Sequence, residues 1–109
     1  MLKTMPMADV STSHITRNDS NLLELAAQAD VNTPTHPDDF PLRVYATTYG
    51  FVIFCRDIGI MHETIASLKT HEMSEAFCAL YALALQEGVF AINLDCDAET
   101  YNGLEKFDW

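Results

Sequence analysis

Asp95, Asp97 and Glu99 recur at every second residue near the C-terminus, and carboxylates in that pattern could do two kinds of chemistry. In an extended chain they line one face at intervals of about 6.5–7 Å, close to the separation of successive phosphates along a nucleic-acid strand. Such a surface can imitate a phosphate backbone and occupy the nucleic-acid groove of a basic protein. The same groups could hold a hard cation. Alternate positions on one strand, however, supply only part of a six- to eight-oxygen shell, and the glycine and terminal glutamate of a calcium loop are missing. The reading is therefore no metal and no cofactor. Glu72 and Glu75, i and i+3 on an expected helix, add a pair about 5–6 Å apart. Asp38 and Asp39 extend the set, and Tyr101 and Trp109 offer aromatic anchors for a desolvated contact.

Other reactive side chains form no catalytic constellation. Ser11, Ser13 and His14 lie together in STSHIT, but there is no GxSxG elbow, and an alternating strand puts Ser13 and His14 on opposite faces. His71 and Glu75 share a helical spacing without an HExxH companion, His36 and His62 are isolated, and four glycines build no phosphate cradle. The expectation is a protein that binds rather than an enzyme. Cys55, Cys78 and Cys96 sit in apolar stretches without CxxC or Cys/His spacing and read as buried free thiols. Their odd number, and an N-terminus without an apolar run of secretory length, suit a soluble protein of a reducing cytoplasm.

These groups must be positioned by elements written in the hydrophobic pattern. Residues 8–15 alternate weakly and suggest an edge strand, with 1–9 free to fray. Thr16 and Asp19 resemble a capping box opening a helix over 17–29, where Leu22, Leu23, Leu25, Ala26 and Ala29 form a stripe. Three prolines in VNTPTHPDDFP make a loop. LRVYATT, a Tyr49-Gly50 turn and FVIFC predict a hairpin of 42–47 with 51–56. Residues 57–70 are ambiguous and are left unassigned, although Met61, Ile65 and Leu68 fit a short helix. Thr70 then caps a helix over 71–87, with Met73, Phe77, Leu80 and Ala84 on one face and Gly88 where a left-handed residue is wanted. Residues 89–95 read as a last strand, with Phe90, Ile92, Leu94 and Cys96 on its core side. The tail turns at Asn102-Gly103 and ends in Phe107 and Trp109, apolar enough to dock back. The sum is a single acidic α+β domain over 1–109, with a small, mostly antiparallel sheet of three to four strands packed against two helices.

The 109 residues carry 16 acids and 6 bases, a formal charge of −10 at pH 7. That balance argues against direct binding to DNA, RNA or an anionic membrane surface, whose phosphates would repel it. No window approaches the length of a membrane span. The hairpin region 40–69 is slightly basic, so the acids concentrate in 18–39, 70–88 and 89–109. An acidic surface of this kind needs a basic partner or none.

VSTSHIT, YGFVIF, LALQEG and INLDCDAETYNGLEKFDW together resemble a family of small uncharacterised proteins carried on bacterial plasmids, integrative elements and prophages. The family pattern closes with an Asp-x-Asp element, a turn and a terminal aromatic-Asp-Trp, which fall here on Asp95 and Asp97, Gly103-Leu104, and Phe107-Asp108-Trp109. The match spans about residues 10–109 and is thin across 57–70; Glu105 stands where relatives often carry proline. The resemblance implies a context rather than a chemistry: small acidic cargo of mobile DNA often disarms host defence. The expected function is a stoichiometric inhibitor of a CRISPR-Cas complex or restriction enzyme, bound through a basic DNA-binding surface, in the cytoplasm of a bacterial host. The alternatives are an antitoxin or regulatory binding module of a mobile element, and a small metal-dependent enzyme resting on His14, His71 and the Asp95/Asp97 pair. The exposed edge of the small sheet also leaves room for a homodimer.

Overall fold

The computed structural model describes residue 2 and residues 4–32 and 40–109, with 29–32 described by backbone alone. Strand β1 (Met7–Ser11) leads through a 3-10 turn at Thr12–His14 into helix α1 (Arg17–Asn32). Strands β2 (Arg43–Ala46) and β3 (Gly50–Phe54) form the hairpin. Helices α2 (Met61–Thr70) and α3 (Glu75–Gln86) and strand β4 (Ala91–Asp95) follow. The class is α+β, as expected. The sheet order is β1-β4-β3-β2, with β1 parallel to β4 and the other two pairings antiparallel. Strand β1 pairs from Met7 onward, inside the segment expected to fray, and Pro6 adds a carbonyl bond to the Phe90 N–H.

Among the described residues three helices, not two, complete the fold, because the unassigned stretch 57–70 contains α2. Its start is hidden in sequence by Ile58-Gly59-Ile60, which form a separate 3-10 turn whose cap, Asp57, accepts the Gly59 N–H. The helix expected over 71–87 is correspondingly shorter. Thr70 ends α2 and bonds back to the Ala66 carbonyl, while Ser74 caps α3 by accepting the Phe77 N–H. Between them Glu72 adopts φ 69°, and the N–H groups of Glu72 and Met73 return to the carbonyls of Lys69 and Leu68. This is the Schellman ending usually built on glycine, here held by burial of Met73 and Leu68. The same ending closes α3 on Gly88, φ 80°, as its position predicted.

One face of the sheet carries Val10, Val44, Phe51, Ile53, Ile92 and Leu94 into a core shared with Leu23, Phe77 and Tyr81. The hairpin closes with the Thr47 N–H on the Gly50 carbonyl. A Cβ on Gly50 would lie 1.8 Å from the Leu94 carbonyl oxygen, so only glycine admits β4 at this register. The predicted capping box is present: Thr16 and Asp19 exchange backbone N–H bonds at 3.0 Å each way. Asp19 is fully buried and also takes the Ser74 N–H at 2.9 Å and its hydroxyl at 2.5 Å. One carboxylate thus ties together the N-termini of α1 and α3, where partial positive charge favours an anion. No helix among the described residues is long and apolar enough to cross a membrane.

Candidate functional site: an acidic recess at the end of the sheet

Strand β4 stops at Asp95, and the extended ladder of carboxylates predicted for Asp95, Asp97 and Glu99 does not form. The Asp95 side chain accepts the Asp97 N–H at 2.8 Å and its carbonyl accepts the Ala98 N–H, which turns the chain. Aspartate competes well for nearby backbone N–H groups, and here that local bond wins over continued pairing. Cys96 consequently sits at the turn and is exposed rather than in the core. Its N–H is anchored on the Tyr49 carbonyl beside the hairpin turn.

The turn gathers the acids instead of spacing them. Asp95, Asp97 and Glu99 line an open recess of about 350 Å³ together with Ala98, Tyr101 and Asp9. Asp9 arrives from the neighbouring strand β1 and is joined to β4 by the Asn93 amide, which donates to its carboxylate at 3.0 Å. Sequence spacing could not point to Asp9, because its partners lie more than 80 residues away and meet it only through the parallel pairing. No basic side chain is among the lining residues. Ligand atoms of Asp95, Cys96 and Asp97 fall within 4.8 Å of one another. Two monodentate-capable carboxylates and a protonated thiol, however, fall short of the oxygen shell a hard cation needs.

Tyr101 and the tail are held by a histidine of the segment 8–15, which the sequence assigns to an edge strand. His14 is buried; its Nδ1 meets the Glu105 carbonyl at 2.7 Å and its Nε2 accepts the Tyr101 N–H at 2.9 Å. The Tyr101 hydroxyl donates to the Asp9 carbonyl, and the Ser11 N–H bonds the Glu99 carbonyl, so the tail covers the outer edge of β1. The Trp109 indole N–H donates to the Ile15 carbonyl at 2.8 Å. Trp109 therefore lines a neighbouring recess with Ser11, Thr12, Ser13, Cys96 and Phe107 rather than the acidic one.

The other predicted residues that the structure describes are not brought to this place. Glu72 and Glu75 share no helix, since Glu72 is the left-handed residue of the α2–α3 link and Glu75 is the first residue of α3. Glu75 is paired with Lys69 at 3.7 Å on the surface, an exposed pair of small energetic weight. Asp38 and Asp39 lie outside the described residues. His71 caps α2, with Nδ1 on the Ser67 carbonyl and its ring edge-on to Phe40.

The three thiols are all disfavoured as thiolates. Burial pushes Cys55 up to about 11 from an ordinary 9.0. Cys78 is raised first by burial, with Glu75 and Asp19 adding and Lys69 opposing. Cys96 is raised by shielding at the turn and then by Asp97 and Asp95. Native protein should therefore react slowly with iodoacetamide at neutral pH, Cys96 included, and Asp97→Asn should speed alkylation of Cys96 at fixed pH. Peptide mapping of the labelled sites checks this. Rapid native labelling of Cys96 at neutral pH would contradict it. For Cys55 the folded value exceeds the unfolded one, so its contribution is intact below about pH 9 and is lost as pH rises through about 11. Cys55→Ala should accordingly flatten the alkaline arm of the stability curve.

Residues 7–109 match the model described as the C-terminal domain of a family of unknown function (DUF5983), from the first residue of β1 to Trp109. No curated protein matches the chain, and no solved structure does.

Proposed function

We propose that this chain, which belongs to that family of unknown function, is a stoichiometric inhibitor of a bacterial defence complex. It would act in the anti-CRISPR or antirestriction manner, seating its acidic recess on the cationic nucleic-acid-binding surface of the target. The observation that carries this reading is the convergence of Asp9, Asp95, Asp97 and Glu99 on one recess with no lining cation, on a chain of net charge −10. A nucleic-acid-binding surface is built to receive clustered negative charge, and complementary potentials speed encounter and fix orientation.

The turn changes the mechanism from the one that spacing suggested. A compact acidic recess receives arginine or lysine side chains at one point, rather than presenting a row of charges along a groove. Tyr101 stands at its wall with its hydroxyl tied to β1, a rigid aromatic of the kind that anchors interfaces. The mobile-element context implied by the C-terminal motif supports a defence target.

The test is capture with tagged protein from a bacterium carrying active CRISPR and restriction systems, washed at low and at high salt, with mass spectrometry of the eluate. A nucleic-acid-binding complex recovered at low salt and lost at high salt supports the proposal, because exposed charge pairs are screened beyond about 8–10 Å at physiological salt and more closely above it. Recovery of a basic toxin encoded beside the gene, or of no nucleic-acid-binding protein, counts against it.

A further inference from the structure

The sheet's second face gathers its aromatic side chains on β2 and β3 and its carboxylates on β4 and β1, with Arg43 at the β2 edge and Met7 at the β1 edge. Register aligns Tyr45, Val52, Asn93 and Asp9 across β2, β3, β4 and β1, and Arg43, Phe54, Ala91 and Met7 in the next row. These positions alternate with the core-facing set; Met7, Asp9, Arg43 and Tyr45 are exposed, Val52, Phe54 and Asn93 are half-buried, and Ala91 is buried. An antiparallel sheet with one solvated face ordinarily turns polar residues outward. Here the β2–β3 half presents a tyrosine, a valine and a phenylalanine, with the exposed Arg43 on the outer strand donating to the Tyr45 hydroxyl at 3.2 Å. The Phe54 ring stands edge-on to Tyr45 at 5.7 Å and tilted against Phe90 at 5.7 Å. The β4–β1 half presents Asn93 and Asp9, with Asp95 one row further toward the acidic recess.

We infer that this face is a docking surface for a protein segment that is both apolar and cationic. Its apolar side chains would lie on Tyr45, Val52 and Phe54, and its lysines or arginines over Asp9 and Asp95. Strands about 4.8 Å apart place the two halves some 10–15 Å from each other, two to three turns of a helix lying across the sheet. Charge complementarity selects the occupant. A half-exposed aromatic sheet also suits stacked bases, but the Asp9 and Asp95 carboxylates repel phosphate. A second copy would bring a net charge of −10 against another. The inference rests on the proposed cationic target and adds to it an apolar anchor that salt does not screen.

The experiment titrates isotope-labelled full-length protein with an amphipathic leucine/lysine peptide of about 18 residues, long enough to cross the sheet as a helix. A glycine/lysine peptide of equal charge and an oligo-dT serve as comparisons. The leucine/lysine peptide should shift amides of 43–46 and 50–54. Tyr45→Ala should weaken it about tenfold without changing its salt dependence, as removal of a contact anchor does. Val52→Thr, which keeps shape and strand preference, should weaken it in the same sense and guards against loss of fold. Shifts confined to 95–101 with both peptides would overturn the inference while leaving the acidic recess as a cation-binding surface. Absence of shifts with either peptide would remove both readings. Oligo-dT shifting the face, or a concentration-dependent dimer burying it, would also overturn the inference.

Discussion

Reversing two charges, with Asp97→Lys and Glu99→Lys together, should weaken binding to the captured partner at least about 100-fold, since like charges placed opposite one another cost several kcal/mol. Both side chains line the recess, and neither carboxylate holds the fold: Asp97 enters the turn through its backbone N–H, and Glu99 bonds Ser11 through its carbonyl. The loss should fall mainly in the association rate, and the residual affinity should depend less on salt. Circular dichroism and melting should be unchanged. Asp95 is a poorer choice, because its carboxylate closes the turn and its replacement mixes folding with binding. Surface plasmon resonance over a range of salt reads both effects. Retained affinity with an unchanged salt slope would exclude the recess as the contact.

Asp19→Ala should lower stability by about 3–5 kcal/mol, the range for removing one partner from a buried charged network. The carboxylate is fully buried and accepts from Thr16 N, Ser74 N and Ser74 Oγ. Removing it leaves those donors without their acceptor and uncouples the first turns of α1 and α3. In a domain of this length the melting temperature should fall by more than about 10 °C. Asp19→Asn keeps the volume but turns an amide N–H₂ toward other donors, and should lose about 2 kcal/mol. Scanning calorimetry decides it, and a melting shift of only a few degrees for the alanine variant would contradict the bridging role. Binding by the folded fraction should be unaffected, which separates this effect from that of the recess.

The capping box, the hairpin, the Gly88 ending and the docked tail were legible because each is a local pattern of a few residues. The split between α2 and α3 was not. Thr70 and Ser74 are both good caps four residues apart, and the left-handed residue between them is a glutamate, so nothing local says which cap is used. Only the burial of Leu68 and Met73, together with the reach of Asp19 to Ser74, decides it. The acidic site was half legible. Asp95, Asp97 and Glu99 stand out by type and spacing, but the expected alternation runs to Glu99, beyond the end of the strand at Asp95. A side-chain bond within the turn ended it. Asp9 and His14 reach the site through contacts 84 and 87 residues distant, for which one-dimensional spacing holds no signal.

The central claim is that the recess occupies a nucleic-acid-binding surface, and the most direct test is competition. The captured partner, freed of nucleic acid, is titrated with this protein in the presence of increasing fluorescent duplex DNA. If the two share a surface, the apparent dissociation constant rises in proportion to DNA concentration and no complex containing all three is found. Simultaneous binding of DNA and protein, with an apparent constant independent of DNA, would contradict the account.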